Sequence, residues 1–279
     1  MSNQTKLELN NILGMIDSNT YTYEVYIPSL RRNVMFKELN TSQQKRLIKS
    51  LVDSPIYNTQ FNFAIYNIIK ENCAESIDIN QLTLLDKLFI CIVMRSYSIG
   101  DALELSITHD GQELRRGISL AKIIENIKPQ LINIESKTFT DEKGVLSINC
   151  NIPTIETEYK LETELREKME KANIENMEAL RETIGNAFII ELAKYCTDLS
   201  IKNGSQVVDI HLNNLTFENR MTLLERLPIK LVEKVINRIS EIKAELDKVT
   251  LIRFDDLKDD KGSPIEKRLT IDGDFFTRS

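Results

Sequence analysis

The sequence contains little of the material from which most catalytic and metal centres are built. It has two histidines, His109 and His211, and nine glycines among 279 residues. A zinc site of ordinary cysteine and histidine spacing, or a histidine-dependent triad, therefore has few residues to use. Nor does the sequence contain a glycine-rich phosphate loop of the single-lysine or the dinucleotide type. We therefore expect no metal, no cofactor and no small-molecule ligand.

The four cysteines lack any paired spacing. Cys73, Cys91, Cys150 and Cys196 are far apart, and at least three of them lie in apolar or helical runs. Such a pattern is typical of reduced thiols in a cytosolic protein.

Long apolar runs and an excess of basic charge are also missing. The longest apolar run, residues 88–94, is far shorter than the roughly 20 residues that a membrane-spanning helix needs. The formal net charge of -6 argues against a broad basic surface for nucleic acid. We therefore expect a soluble chain that binds neither membranes nor nucleic acid.

What is present is a succession of short amphipathic segments, which predicts a mainly helical α+β fold. The fold would have an N-terminal β-hairpin, a small antiparallel β insert and a C-terminal helical module. We divide the chain into four parts: an N-terminal arm (1–20), a hairpin plus helical module (21–101), a β-rich insert (102–154), and a helical arm with a C-terminal module that has short strands and an aromatic tail (155–279).

The helical module has the clearest local signals. Two β-rich runs, 23–27 and 34–39, flank a turn without glycine and predict a hairpin. Thr41 stands three residues before Gln44, which predicts a capping box at the start of a helix. From Leu82 to Val93 the apolar arc is so wide that we expect this helix to be central.

Two segments leave alternatives open. The apolar residues between Leu7 and Ile16 fit either a short helix ending near Gly14 or a tethered arm. The charged stretch 156–181 has a narrow apolar seam and fits either a hairpin or one kinked helix. The next apolar stripe, from Ile184 to Cys196, predicts a helix that ends at the signal Asn203-Gly204.

Four residues are candidates for a partner interface. Arg31 and Arg32 could grip an acidic partner, although a plain charged turn is the favoured interpretation. Phe275 and Phe276 could anchor in a partner's pocket or pack on their own domain, and neither alternative is preferred. The acidic residues from Asp255 to Asp260 include no calcium-loop pattern, so we interpret the segment 255–262 as a solvated loop.

Several segments together resemble the baseplate protein family of contractile-tailed, T-even-like bacteriophages, whose members are hub subunits or hub assembly factors. The stretches that carry the resemblance are Tyr26-Ile27-Pro28-Ser29-Leu30, Phe36-Lys37-Glu38-Leu39, Thr41 to Leu47, Asp53 to Thr59, Leu85-Asp86-Lys87-Leu88 and Arg95 to Asp101. Leu227-Pro228-Ile229 and Ile271 to Phe276 resemble the family more weakly, and residues 102–204 do not match its sequence pattern in detail. The family's members are not enzymes, so the resemblance supplies no catalytic residue.

Three functions follow as hypotheses. The first is a structural hub subunit that binds other baseplate and hub proteins of the phage, in the host cytoplasm during assembly and then in the tail baseplate. The second is an assembly chaperone that is absent from the finished particle. The third, more remote, is a cytosolic enzyme that uses carboxylates and lysines in a cleft between the modules.

Overall fold

The computed structural model describes residues 11–16, 19–53, 59–109, 111–127, 134–171 and 177–277. Its helices are α1 (11–16), α2 (Thr41–Asp53), α3 (Thr59–Asn72), α4 (Leu84–Ser98), α5 (Leu120–Ile127), α6 (Ile155–Lys171), α7 (Met177–Tyr195), α8 (Phe217–Glu225) and α9 (Ile229–Thr250). Its strands are β1 (Thr22–Ile27), β2 (Arg32–Lys37), β3 (Ala102–His109), β4 (Gln112–Ser119), β5 (Lys137–Thr140), β6 (Leu146–Cys150), β7 (Cys196–Asn203), β8 (Gln206–His211), β9 (Leu251–Lys258) and β10 (Pro264–Arg268). The predicted α+β class is confirmed.

The predicted N-terminal hairpin is present. β1 and β2 are antiparallel, from Thr22 opposite Lys37 to Ile27 opposite Arg32. The turn lacks glycine, and Arg31 takes the left-handed conformation instead, with φ at 52°. That conformation costs an ordinary residue about 1–2 kcal/mol. The buried residues of the strands fix the register despite this cost, because a slip of one residue would expose Val25 and Val34.

The helix predicted to be central lies between two hydrophobic cores. Ile90, Cys91 and Met94 of α4 belong to the first core, whereas Leu85 and Phe89 belong to the second. Two apolar faces on one helix require packing on both sides, which explains the wide apolar arc in the sequence.

The first core is built from the N-terminal hairpin, α2, α3 and the C-terminal segment. Two more hairpins, β3–β4 and β9–β10, pack against it through Leu103, Leu105, Phe254 and Leu257. Residues from both ends of the chain therefore share one core.

The second core lies between a four-stranded antiparallel sheet, in the order β5-β6-β7-β8, and helices α6 to α9. One face of the sheet is apolar across all four strands, in the row Phe139, Ile148, Leu199 and Ile210. The strands predicted as one insert therefore lie in two sheets, since β3 and β4 form a separate hairpin.

The charged stretch 156–181 belongs to a helical hairpin. Lys194 Nζ on α7 contacts Glu162 Oε1 on α6 at 2.7 Å, so the chain folds back on itself. Residues 172–176, where the chain passes from α6 to α7, lie outside the described residues, as do residues 1–10, 17 and 18 of the N-terminal arm.

Two local predictions were wrong. The helix predicted to run to Asn203-Gly204 ends at Tyr195, and Cys196–Asn203 is strand β7. Gly204, with φ at 61°, lies in the turn between β7 and β8. The capping box lies one residue earlier than predicted: Asn40 N–H donates to Gln43 Oε1 at 3.1 Å, and Gln43 N–H donates to Asn40 Oδ1 at 2.9 Å.

Candidate interaction surfaces

Arg31 and Arg32, in the first hairpin, differ in their contacts. Arg32 Nη1 donates to Glu75 Oε2 at 2.7 Å, and Glu75 Oε1 accepts the Met35 N–H at 2.7 Å. The Arg32 guanidinium lowers the pKa of Glu75, and the Met35 amide acts in the same direction. Arg32 therefore braces the hairpin against the segment after α3. Arg31 is exposed at the turn, and its contact with a partner stays a prediction.

The turn itself is held in place by a buried carboxylate. Asp86 is fully buried near the start of α4, and its Oδ1 accepts the Ser29 N–H at 2.9 Å. Its Oδ2 accepts the Thr83 N–H at 2.6 Å and the Thr83 hydroxyl at 2.8 Å. One side chain thus joins the hairpin turn to the N-terminus of α4, so Arg31 is presented on a fixed turn.

The aromatic pair at the other end of the chain packs on its own domain. Phe275 and Phe276 are 2% and 0% exposed, with their rings edge to face at a centroid distance of 5.1 Å. The Phe276 ring also meets the Phe61 ring at 6.1 Å. In this packing neither ring can anchor in a partner's pocket, because the first core already encloses both.

A buried arginine fixes the aromatic segment. Arg95 is fully buried, and its guanidinium donates to the carbonyls of Phe275 at 2.9 Å, of Ala102 at 3.2 Å and of Gly100. Its Cζ also lies 5.7 Å from the centre of the Phe275 ring. Sequence reasoning found Arg95 only as part of the resemblance, because its contact with Phe275 joins segments 180 residues apart.

The second core contains a similar arginine. Arg220 on α8 is 5% exposed and donates to the Cys196 carbonyl at 3.0 Å, to the Ala193 carbonyl and to Asn213 Oδ1 at 2.7 Å. Burial lowers the pKa of Arg220 to about 10. Arg95 and Arg220 each bind carbonyls where a helix passes into a strand, so both act as structural donors.

Lysines and carboxylates do meet between the two cores, as the enzyme hypothesis requires. Lys87 on α4 pairs with Glu158 on α6 and contacts Asn62 Oδ1 at 3.0 Å. Asn62 Nδ2 donates to Glu162 Oε2 at 2.8 Å, and Glu162 pairs with Lys194. In the part of this network that the structure describes, Lys87 of α4 and Lys194 of α7 alternate with Glu158 and Glu162 of α6. The uncharged Asn62 of α3 joins the two pairs.

The pKa shifts in this network are those of structural ion pairs. Burial lowers the pKa of Lys194, but the charges of Glu162, Glu158 and Glu191 outweigh burial and raise it. Burial raises the pKa of Glu191, yet Lys194 and Lys243 leave it below its ordinary value. Both groups stay charged at neutral pH, whereas a general acid or base needs a pKa near the working pH.

The two histidines lie on different sheets. His211 Nδ1 contacts Asp198 Oδ1 at 2.6 Å on the polar face of the four-stranded sheet, and its side chain is 71% exposed. A His109 ring nitrogen contacts the Lys258 carbonyl at 2.9 Å between β3 and β9. The fold therefore does not combine them in one site.

The acidic segment predicted as a loop is partly a strand. Asp255 and Asp256 lie on β9, where they pair with Arg253 at 2.8 Å and Arg116 at 3.3 Å. Within the described ranges there is no group of three or more histidine, cysteine, aspartate or glutamate side chains that could hold a metal ion.

Helix α1 exposes several large apolar side chains, and it runs through Gly14 rather than ending there. Ile12, Leu13, Met15 and Ile16 are between 48% and 65% exposed. Their spacing places them along one side of the helix, as in helices that dock into a partner's groove. The sequence indicated the apolar residues of this segment and left their contact open.

A second apolar surface was missed by sequence reasoning. An open groove of about 650 Å³ lies where the β5–β6 turn meets the start of α9, with Val145, Leu146 and Pro228 among its lining residues. Ile229 at its rim is 77% exposed. The residues come from segments more than 80 positions apart, so no local pattern predicts the groove.

Of the helices that the structure describes, none is both long and apolar enough to cross a membrane. Comparison of the chain with protein-family models, with curated proteins and with solved structures gives no match.

Proposed function

We propose that this chain is a non-enzymatic component of bacteriophage baseplate hub assembly, which acts as a structural hub subunit through protein–protein contacts. The observation that carries the proposal is the exposed apolar side of α1, with four large side chains at least 48% exposed. Solvent exposure of so much apolar surface on one short helix is unfavourable, and burial in a partner's groove would remove it from water.

The resemblance to the baseplate family supports the choice of partner. The stretches that carry it contribute parts of β1 and β2, the start of α2 and both ends of α4. Ile27, Phe36 and Leu47 in these stretches belong to the first core, and Leu85 belongs to the second. On this proposal the chain acts in the host cytoplasm during assembly and then in the tail baseplate, with other hub proteins as its partners.

Quantitative mass spectrometry of purified particles of the source phage tests the role. A fixed, near-integer ratio of this chain to a known hub protein is the expected result. Absence from particles together with abundance in infected-cell lysate would instead identify an assembly chaperone. Absence from both would contradict a role in the phage.

The surface is tested separately by binding of the purified chain to the hub proteins of the same phage. We expect the double substitution of Ile12→Asn and Ile16→Asn to weaken binding at least tenfold, because it removes apolar area that the partner buries. The matched control is Ile48→Asn, which changes an exposed isoleucine on α2. Equal binding by the two variants would remove α1 from the interface.

A further inference from the structure

The two edges of the four-stranded sheet differ in how they are protected. At one edge, β5 has four residues and begins with Lys137, and its Thr140 carbonyl accepts Lys234 Nζ of α9 at 2.9 Å. At the other edge, β8 has six residues and contains neither lysine nor proline. In the part of the chain that the structure describes, β8 pairs with β7 alone. Natural sheets shorten, charge or cover an edge to prevent further pairing, and the edge at β8 is the less protected of the two.

The turn between β7 and β8 determines which backbone groups of β8 are free. It has two residues, so the pair beside it, Asn203 and Gln206, is hydrogen-bonded. Hydrogen-bonded and non-hydrogen-bonded pairs alternate along an antiparallel ladder. Val208 therefore bonds to β7, whereas the N–H and C=O groups of Val207 and Asp209 point to the open edge. These groups can accept a further strand.

An apolar row of the sheet ends at this edge. Leu146, Ile201 and Val208 lie side by side on β6, β7 and β8, on the face that packs on the second core. Val208, the last of the row, is 51% exposed, so the helices over this face leave it uncovered. On the opposite face, Val207 is 59% exposed. A strand added at the edge would remove apolar surface of both valines from water.

The strand that matches β8 best in the described structure is β8 of a second copy. A two-fold axis makes the two strands antiparallel, and each outward-facing residue must then lie opposite another, so the allowed registers differ by two residues. The register with Asp209 opposite itself places like charges in direct opposition, which is unfavourable. Registers centred nearer either end of the strand pair fewer residues. The register with Val208 opposite itself pairs 206–210 of both copies and places no like charges directly opposite each other.

We propose that β8 pairs with β8 of a second copy about a two-fold axis at Val208. The pairing joins two four-stranded sheets into one, in the order β5-β6-β7-β8-β8-β7-β6-β5. Val207 of each copy exchanges backbone hydrogen bonds with Asp209 of the other copy. The apolar row continues through the axis, because Val208 meets Val208 and each is flanked by Ile201 of its own copy.

The connection after β8 leaves room for this pairing. The chain passes from the end of β8 at His211 toward α8. Because the two strands are antiparallel, the two copies of α8 lie toward opposite ends of the pair. The interface uses one identical surface of both copies, as two-fold dimers do, and it does not involve α1.

Sedimentation velocity of the full chain over a range of concentrations tests the dimer, and hydrogen–deuterium exchange at the same concentrations locates it. We expect a reversible equilibrium between monomer and dimer. As the dimer forms, exchange should slow at the amides of Val207 and Asp209, which face the open edge. It should change little at Val208, whose amide already bonds to β7. A chain that stays monomeric up to millimolar concentration, or a dimer without protection at Val207 and Asp209, would overturn the proposal.

Two substitutions test the pairing itself. Val207→Pro removes an outward N–H that the β7 ladder does not use, and proline is tolerated at such an edge position. Val208→Lys places two lysines opposite each other at the axis. We expect each variant to dimerise at least tenfold more weakly while its urea unfolding midpoint at low concentration stays close to that of the unchanged chain. Unchanged dimerisation of both variants would refute pairing through β8.

Two controls separate this edge from other surfaces. Ile229→Lys adds the same charge at an exposed position on α9 and should dimerise like the unchanged chain. The double substitution Ile12→Asn with Ile16→Asn should do the same, and loss of the dimer in that variant would assign it to α1 instead. A monomeric chain that gains protection at Val207 and Asp209 only with a hub protein would show that the edge accepts a strand of that partner, against the proposal of a second copy.

Discussion

The residues that organise this molecule are buried polar groups that join near segments to one far away in the sequence. Arg95 is the clearest, because its acceptors belong to the loop after α4, to β3 and to the C-terminal segment. A buried guanidinium is expensive unless its donors are satisfied. The three carbonyls meet that condition and fix the positions of three segments at once.

Replacing Arg95 should release the C-terminal segment. Arg95→Met keeps the length of the side chain but leaves the carbonyls of Phe275, Gly100 and Ala102 without this donor. We expect a loss of about 3 kcal/mol in the free energy of unfolding, since each unsatisfied buried acceptor costs about 1–3 kcal/mol. Urea unfolding measures the loss, and hydrogen exchange over 269–277 should accelerate.

The control for Arg95→Met is Arg226→Met, which removes an exposed arginine. It should change the free energy of unfolding by less than about 0.5 kcal/mol. If exchange over 269–277 stays slow in the Arg95 variant, the aromatic packing of Phe275 and Phe276 holds the segment without the arginine.

At the scale of elements, short sequence patterns predict the helices and strands correctly where a pattern is specific to one structure. The prediction fails where the same pattern is favourable in two different structures. The first hairpin and the wide apolar arc of α4 both follow from short patterns. Asn-Gly, however, is favourable both after a helix and in a hairpin turn. The apolar stripe ending at Cys196 favoured the helix, whereas Leu199 and Ile201 alternate toward the second core as a strand.

The candidate sites show the same division. Arg31 and Arg32 were found as a basic pair in the turn between two predicted strands, and Phe275 with Phe276 as two adjacent aromatic residues. What each residue contacts depends on segments distant in sequence, such as Glu75 for Arg32 and Arg95 for Phe275. The groove at the start of α9 forms only when segments far apart in the sequence pack together, so no local spacing predicts it.

The start of α2 offers a test of which residue caps it. Asn40→Ala should lower the free energy of unfolding by about 1 kcal/mol, because the Asn40 side chain accepts the Gln43 amide. Thr41→Ala should cost less than half as much, since Thr41 lies inside the helix. Thermal and urea unfolding of both variants check this, and a larger loss for Thr41→Ala would restore the cap predicted from sequence.

At the scale of the whole molecule, the two cores share α4 and an ion-pair network. The network alone stabilises modestly, because burial of the charges offsets much of their attraction. The apolar contacts of α4 are of a different kind: each side of the helix fills one core, so neither core is complete without it. The division of the chain into modules therefore does not imply independent folding.

A substitution on one side of α4 should consequently destabilise both cores together. Phe89 is 2% exposed and packs in the second core, so Phe89→Ala should cost about 3–5 kcal/mol. Pulsed hydrogen exchange across a urea titration can follow strands β1–β2 of the first core and β7–β8 of the second in one experiment. We expect both pairs to unfold at one shared, lowered midpoint, because loss of the second core removes the surface that holds α4 in the first.

The exposed control Ile229→Ala should leave both midpoints in place. An unchanged midpoint for β1–β2 beside a lowered one for β7–β8 would mean that α4 stays folded on the first core alone, and that the two cores are separate folding units.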